Sequence, residues 1–151
     1  MALTELSRSI EGLVAIVTGA GSGMGAATAK LFAAQGAKVA AIDINQEGLA
    51  SVVNEINEAG KTAQGWNLDL SDSVAIDRVI GEVATHFGGI DILINNAGIS
   101  IFTPIDGEDF ASAWDKTFTV LLTAHTHAIR AALPHLRQST NPRIINIAST
   151  E

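Results

Sequence analysis

The apolar positions of this chain follow two alternating rhythms, and their alternation predicts the architecture. Residues 13–18 (LVAIVT) and 91–95 (DILIN) are short, near-continuous apolar runs without the polar alternation of a half-exposed strand. They read as strands covered on both faces. Between such runs the apolar residues recur at helical spacing. Residues 23–35 form an alanine-rich helix stopped by Gly36, and in 46–59 Leu49, Val52, Val53 and Ile56 make one stripe, ended by Gly60. A third stripe holds Ile76, Val79, Ile80, Val83 and Phe87, opened by Ser71 or Asp72 as cap and closed by Gly88-Gly89. Lys38–Asp43, the weaker Thr62–Asn67 and residues 143–148 add three strands, while 110–136 reads as one long amphipathic helix. The order β-α-β-α-β-α-β-α-β predicts an α/β fold with a doubly wound parallel sheet and right-handed crossovers. Residues 1–12 read as a tail and 13–151 as one domain.

The residues after the first strand direct this fold toward a particular chemistry. Thr18 is followed by Gly19, Gly21, Gly23 and Gly25, with Ser22 and Met24 between them, and then by the first helix. Missing side chains let the backbone approach a ligand closely. The first N–H groups of the helix have no internal partners and carry its positive dipole end, so the arrangement suits a pyrophosphate. The G-x-G-x-x-G/A fingerprint fits only from Gly21, Gly23 and Ala26; the better-placed spacing is Gly19-x-x-x-Gly23-x-Gly25. No Gly-Lys-Ser/Thr follows, which excludes a Walker-type loop. The reading is a dinucleotide site on a Rossmann-like sheet, with strand order 3-2-1-4-5.

Further residues fit that ligand. Asp43 ends the second strand, followed by Ile44, where a carboxylate accepts the adenosine ribose hydroxyls and repels a 2′-phosphate. No Arg or Lys in the glycine turn or just after Asp43 welcomes that phosphate, so the expected cofactor is NAD. Asp69 and Leu70 are placed to meet the adenine, although Asp69 or Ser71 can equally serve to cap the next helix. In Asn95-Asn96-Ala97-Gly98 the two amides can bridge strand ends, and Ala97 and Gly98 leave room for a ribose or nicotinamide.

Composition narrows the partners. The 151 residues suffice for one domain with a core, and the formal charge of −7 argues against nucleic acid or an anionic membrane surface. No apolar run approaches a membrane span, and the absence of cysteine excludes thiolate chemistry and suits a reducing cytoplasm. His125 and His127 are two apart, about 200° around a helix, so they cannot share a metal, and no metal site is expected.

Together Thr18, the glycine turn, Asp43, Asp69, Asn95-Asn96-Ala97-Gly98 and the closing Ile145-Asn146-Ile147-Ala148-Ser149 resemble the short-chain dehydrogenase/reductase family. The resemblance implies hydride transfer between a nicotinamide cofactor and a small-molecule carbonyl or alcohol, by a homo-oligomer. It implies Ser149 as the catalytic serine that holds the substrate oxygen, beside a Tyr and a Lys four residues later. Two positions depart from the pattern. Leu121 stands where the family's helix asparagine is expected, and the chain contains no tyrosine. The family's Tyr falls about thirteen residues beyond the serine, so the resemblance predicts the front part of a longer enzyme, inactive as it stands. The alternative is a non-catalytic dinucleotide-binding module; a methyltransferase is disfavoured, having no use for the Asn-Ala-Gly loop and terminal serine.

Overall fold

Strands β1 (Val14–Thr18), β2 (Lys38–Asp43), β3 (Thr62–Asn67), β4 (Ile92–Asn95) and β5 (Arg143–Asn146) form one parallel sheet. Their order is β3-β2-β1-β4-β5 in the computed structural model, which describes residues 8–149. The expected α/β class and strand order hold. The chain winds outward from β1 to β3, then returns to β4 on the other side. That reversal opens a crevice at the carboxyl ends of β1 and β4, where ligands of such sheets sit.

The apolar runs are explained by what covers them. Val14, Ile16, Ala40, Ile42 and Leu93 face α3 (Ser73–Phe87) and α5 (Ala124–Leu136). Ala15, Val17, Val39, Ala41, Ile92 and Ile94 face α1 (Gly23–Ala34) and α2 (Gln46–Glu58). Successive strand residues point to opposite faces, so a strand with helices on both sides needs an apolar residue at every position. Asp72 caps α3 by accepting from the Ala75 N–H, and Gly88, with φ of 85°, ends it. Ile10 packs on the second layer and the Gly12 N–H donates to the Gly36 carbonyl, so the segment leading into β1 is tied to the sheet. Among the described residues no helix is long and apolar enough to cross a membrane.

The expected helix over 110–136 is instead three pieces: α4 (Phe110–Phe118), a π-helical turn (Thr119–Thr123) and α5. The hydroxyl of Thr119 donates to the Asp115 carbonyl and that of Thr126 to the Thr123 carbonyl. Such side-chain bonds compete with the helical ladder and loosen it. The wider turn admits an extra residue and keeps Val120, Ala124 and Ala128 facing inward. The flanking strands are also shorter than expected. Asp91 spends its side chain on the Val14 N–H and the Ser139 hydroxyl, and after Asn146 the ladder continues only through the Ile147 N–H to the Asn95 carbonyl.

One polar pair joins β4 to β5, a buried Asn95 with an exposed Asn146. Asn95 is 1% exposed, and its Nδ2 donates to Oδ1 of Asn146 at 2.8 Å. Removing the Asn146 amide strands the buried Asn95, at a cost of about 1–3 kcal/mol, whereas the exposed Asn146 left alone turns to water. Asn146→Ala should destabilise by that amount in urea unfolding, while Asn95→Ala loses the hydrogen bond, about 1 kcal/mol, together with its buried packing. The double variant should lose about 1 kcal/mol less than the sum; strict additivity would show that the bridge contributes nothing.

Candidate functional site

The crevice at the switch point is a cleft of about 620 Å³, lined along one side by the glycine turn and along the other by Ala97, Gly98 and Val120. Backbone geometry makes the turn. Gly19 adopts φ of 66°, and a Cβ there would stand 2.8 Å from Cα of Ala97. Gly25 has no room at all: its Cβ would lie 1.9 Å from the Gly19 carbonyl oxygen and 2.6 Å from Nδ2 of Asn96. The missing side chain lets α1 start directly against the turn. Ser22, the N-cap residue of α1, is extended and makes no side-chain cap hydrogen bond. The first N–H groups of the helix are therefore left for a ligand, at its positive dipole end. A pyrophosphate fits this cradle.

Thr18 and Asn96 hold the two loops together. The Thr18 hydroxyl donates to the Ile94 carbonyl and accepts from the N–H groups of Asn96 and Ala97, both at 3.0 Å. Nδ2 of Asn96 donates to the Thr18 carbonyl at 2.9 Å. One hydroxyl thus fixes the end of β1 to the loop after β4. Asn96 lines the cleft through this arrangement, whereas Asn95 lies behind it, bonded to Asn146.

Asp43 closes the adenosine end. One carboxylate oxygen accepts from the Gly21 N–H at 2.7 Å and the other from the Asn45 N–H at 2.8 Å. A Cβ on Gly21 would come within 3.0 Å of the same carboxylate. The acid that ends β2 therefore also anchors the glycine turn. Each oxygen keeps a further lone pair for a ribose hydroxyl. Asn67 donates to the carbonyls of Asp43 and Ile44, fixing the turn beneath them.

Asp69 resolves into a structural role with the cleft beside it. Its Oδ1 accepts from both the N–H and the hydroxyl of Ser71. The Ser71 backbone bond, then its hydroxyl, hold the Asp69 carboxyl below the usual carboxylate range, with partial burial opposing and Lys116 assisting. Asp72, rather than Asp69 or Ser71, is the α3 cap. Asp69 and Leu70 nonetheless line the cleft, as do Gly19, Ser22, Gly23, Met24, Gly25, Asp43 and Ile44. Gly21 supports it through its N–H.

Ser149 is exposed, three residues past β5. Leu121 sits in the π turn, and its Cδ2 would touch a Cβ added to Gly98 at 3.3 Å. An aliphatic wall thus stands against the Asn-Ala-Gly loop. One turn on, Nε2 of His125 is buried without a hydrogen-bond partner among the described residues, and desolvation lowers its pKa. Neither Asn67 nor Lys116 stood out as a site residue in the sequence, and Thr18 entered only as part of the family pattern. Thr18 carries a signal, a hydroxyl at the last strand position before the glycine turn. Lys116 carries none, because it reaches the cleft from α4.

A second hollow of about 420 Å³ lies at the opposite ends of the strands, among Gly12, Lys38, Gly88 and His135. The helices end there instead of beginning, so carbonyls and negative dipole ends face it, and it has no cradle for phosphate.

Known proteins are similar to this chain. A family model described as short chain dehydrogenase matches residues 13–151. The chain is 41% identical over 144 residues to 2,5-dichloro-2,5-cyclohexadiene-1,4-diol dehydrogenase of Sphingobium indicum, covering 95% of this chain and 57% of that protein. It is 34% identical over 146 residues to 2,3-dihydro-2,3-dihydroxybenzoate dehydrogenase of Bacillus subtilis, covering 95% and 54%. The chain therefore spans a little over half the length of these relatives. A metagenomic short-chain oxidoreductase solved in complex with NADP superposes with a TM-score of 0.87 at 38% identity, over 94% of this chain and 64% of that one. With the glycine turn, the Thr18–Asn96 tie and the switch-point cleft built on the same sheet order, the chain belongs to the short-chain dehydrogenase family.

Proposed function

We propose that the protein is an oxidoreductase that uses NAD(H) to interconvert an alcohol and a carbonyl on a small molecule. The observation that carries this reading is the uncapped start of α1 above a turn in which Gly25 has no space for a Cβ. Ser22 to Gly25 hold the pyrophosphate, Asp43 and Ile44 the adenosine ribose, Asp69 and Leu70 the adenine, and Ala97 and Gly98 the nicotinamide side, with Asn95 and Gly21 supporting them. When bound, the nicotinamide supplies or accepts a hydride. The Asp43 carboxylate favours NAD over a 2′-phosphorylated cofactor, although a solved relative carries NADP.

Ser149 donates its hydroxyl to the substrate oxygen and so orients the reacting carbon. The sequence holds no tyrosine, so these 151 residues do not supply the family's Tyr–Lys pair. The cysteine-free composition supports a reducing cytoplasm. A homo-oligomer is supported by the ladder of Phe110, Trp114 and Phe118 on α4, with ring centroids 5.9 and 4.6 Å apart and the last two residues about half exposed.

The test follows reduced nicotinamide in the full-length protein. Ring secondary alcohols are the first substrates, because two relatives are named for cyclohexadiene diol or dihydrodiol substrates. Ser149→Ala should lower kcat by about 100-fold while NADH affinity stays within about twofold. A full-length protein that neither binds nor reduces NAD overturns the reading.

A further inference from the structure

The charges that line the cleft do not, by themselves, favour an anion. Among the described residues they are Asp43, Asp69 and Lys116, in a chain of formal charge −7. A dinucleotide brings the negative charges of its pyrophosphate. Against them the α1 N-terminus offers about half an elementary charge. Two carboxylates in the same cleft work the other way, and Lys116 is the one side-chain cation facing them.

Lys116 projects from the last turn of α4, one turn before Val120, which lines the same wall. It is exposed and takes part in neither of the two ion pairs among the described residues, Lys30–Glu55 and Arg78–Glu82. Its charge adds, after the two Ser71 hydrogen bonds, to what lowers the Asp69 pKa. A four-carbon stem lets such a group move between a carboxylate and a ligand.

We infer that Lys116 is a cofactor-binding residue, the cation on the α4 wall that closes over the adenylate half of the dinucleotide and offsets Asp43 and Asp69. This rests on the dinucleotide reading of the cleft. Nothing near Lys116 in sequence announces the role, because α4 reaches the cleft only through the fold.

The test compares wild type, Lys116→Arg, Lys116→Gln and Lys116→Glu in the full-length protein, titrated with NADH, ADP and adenosine at low and high salt. K116Q should weaken NADH and ADP about threefold and K116E about tenfold, with K116R near wild type. The differences should shrink as salt rises, and adenosine, which carries no phosphate, should bind all four alike. The lysine stem can also act through packing on its own helix alone. That structural role moves the melting temperature and leaves the ADP-to-adenosine ratio alone. K116E binding NADH and ADP as tightly as wild type, or losing adenosine as severely as ADP, overturns the role of Lys116 and leaves the cleft intact. A wild type that binds none of the three ligands overturns the dinucleotide reading and this inference with it.

Discussion

Gly25→Ala should abolish dinucleotide binding, with NADH affinity down at least about 100-fold and stability down by about 3 kcal/mol. The added methyl would occupy a point 1.9 Å from the Gly19 carbonyl oxygen, well inside contact distance. What it meets cannot turn aside. One neighbour is backbone, and the other is an Asn96 amide already donating to the Thr18 carbonyl. Either α1 moves away from the turn or the turn changes shape, and both displace the N–H groups offered to the phosphates. Gly81→Ala is the control. Gly81 is an exposed helical glycine whose added methyl would meet nothing within 4 Å, so alanine there should stabilise by about 0.5–1 kcal/mol. NADH fluorescence titration and urea unfolding read both effects; a Gly25→Ala protein that binds like wild type would refute the cradle.

Asp43→Ser should shift the cofactor preference toward NADPH, with the ratio of NADH to NADPH affinity falling about 100-fold. On the proposed reading two effects act in the same direction. The variant would lose the carboxylate's hydrogen bonds to the ribose hydroxyls and its repulsion of a 2′-phosphate, for which like-charge contact costs several kcal/mol. Absolute NADH affinity should fall as well, because Asp43 also accepts from the Gly21 N–H at 2.7 Å and so holds the turn in shape. Parallel titrations with NADH and NADPH separate the two roles. A general loosening of the turn weakens both cofactors equally, and an unchanged ratio would remove Asp43 from cofactor selection.

Much of the fold was legible in the chain because burial on two faces leaves a simple trace. β1 needs an apolar residue at every position, and Val14 to Val17 supply one. The caps and stops at Asp72, Gly36, Gly60 and Gly88 are local chemistry, readable within a few residues. The glycine turn was legible for the same reason, since its shape depends on side chains that are absent. The π turn was not. Its extra residue follows from competition between threonine hydroxyls and the helical ladder, and helical periodicity is nearly unchanged across it.

By itself, then, the sequence determined the order of elements, the parallel sheet and the segments that meet at its carboxyl edge, because periodicity and capping act over short distances. The tertiary structure alone decided how residues far apart divide the labour there. It joined the Thr18 hydroxyl to the loop after β4, paired Asn95 with Asn146, set Asp43 against Gly21, gave Asp69 to Ser71 and brought Lys116 across from α4. The reason is geometric: hydrogen bonds and charges act over a few ångströms of space, and only the completed sheet sets which distant residues come within that range.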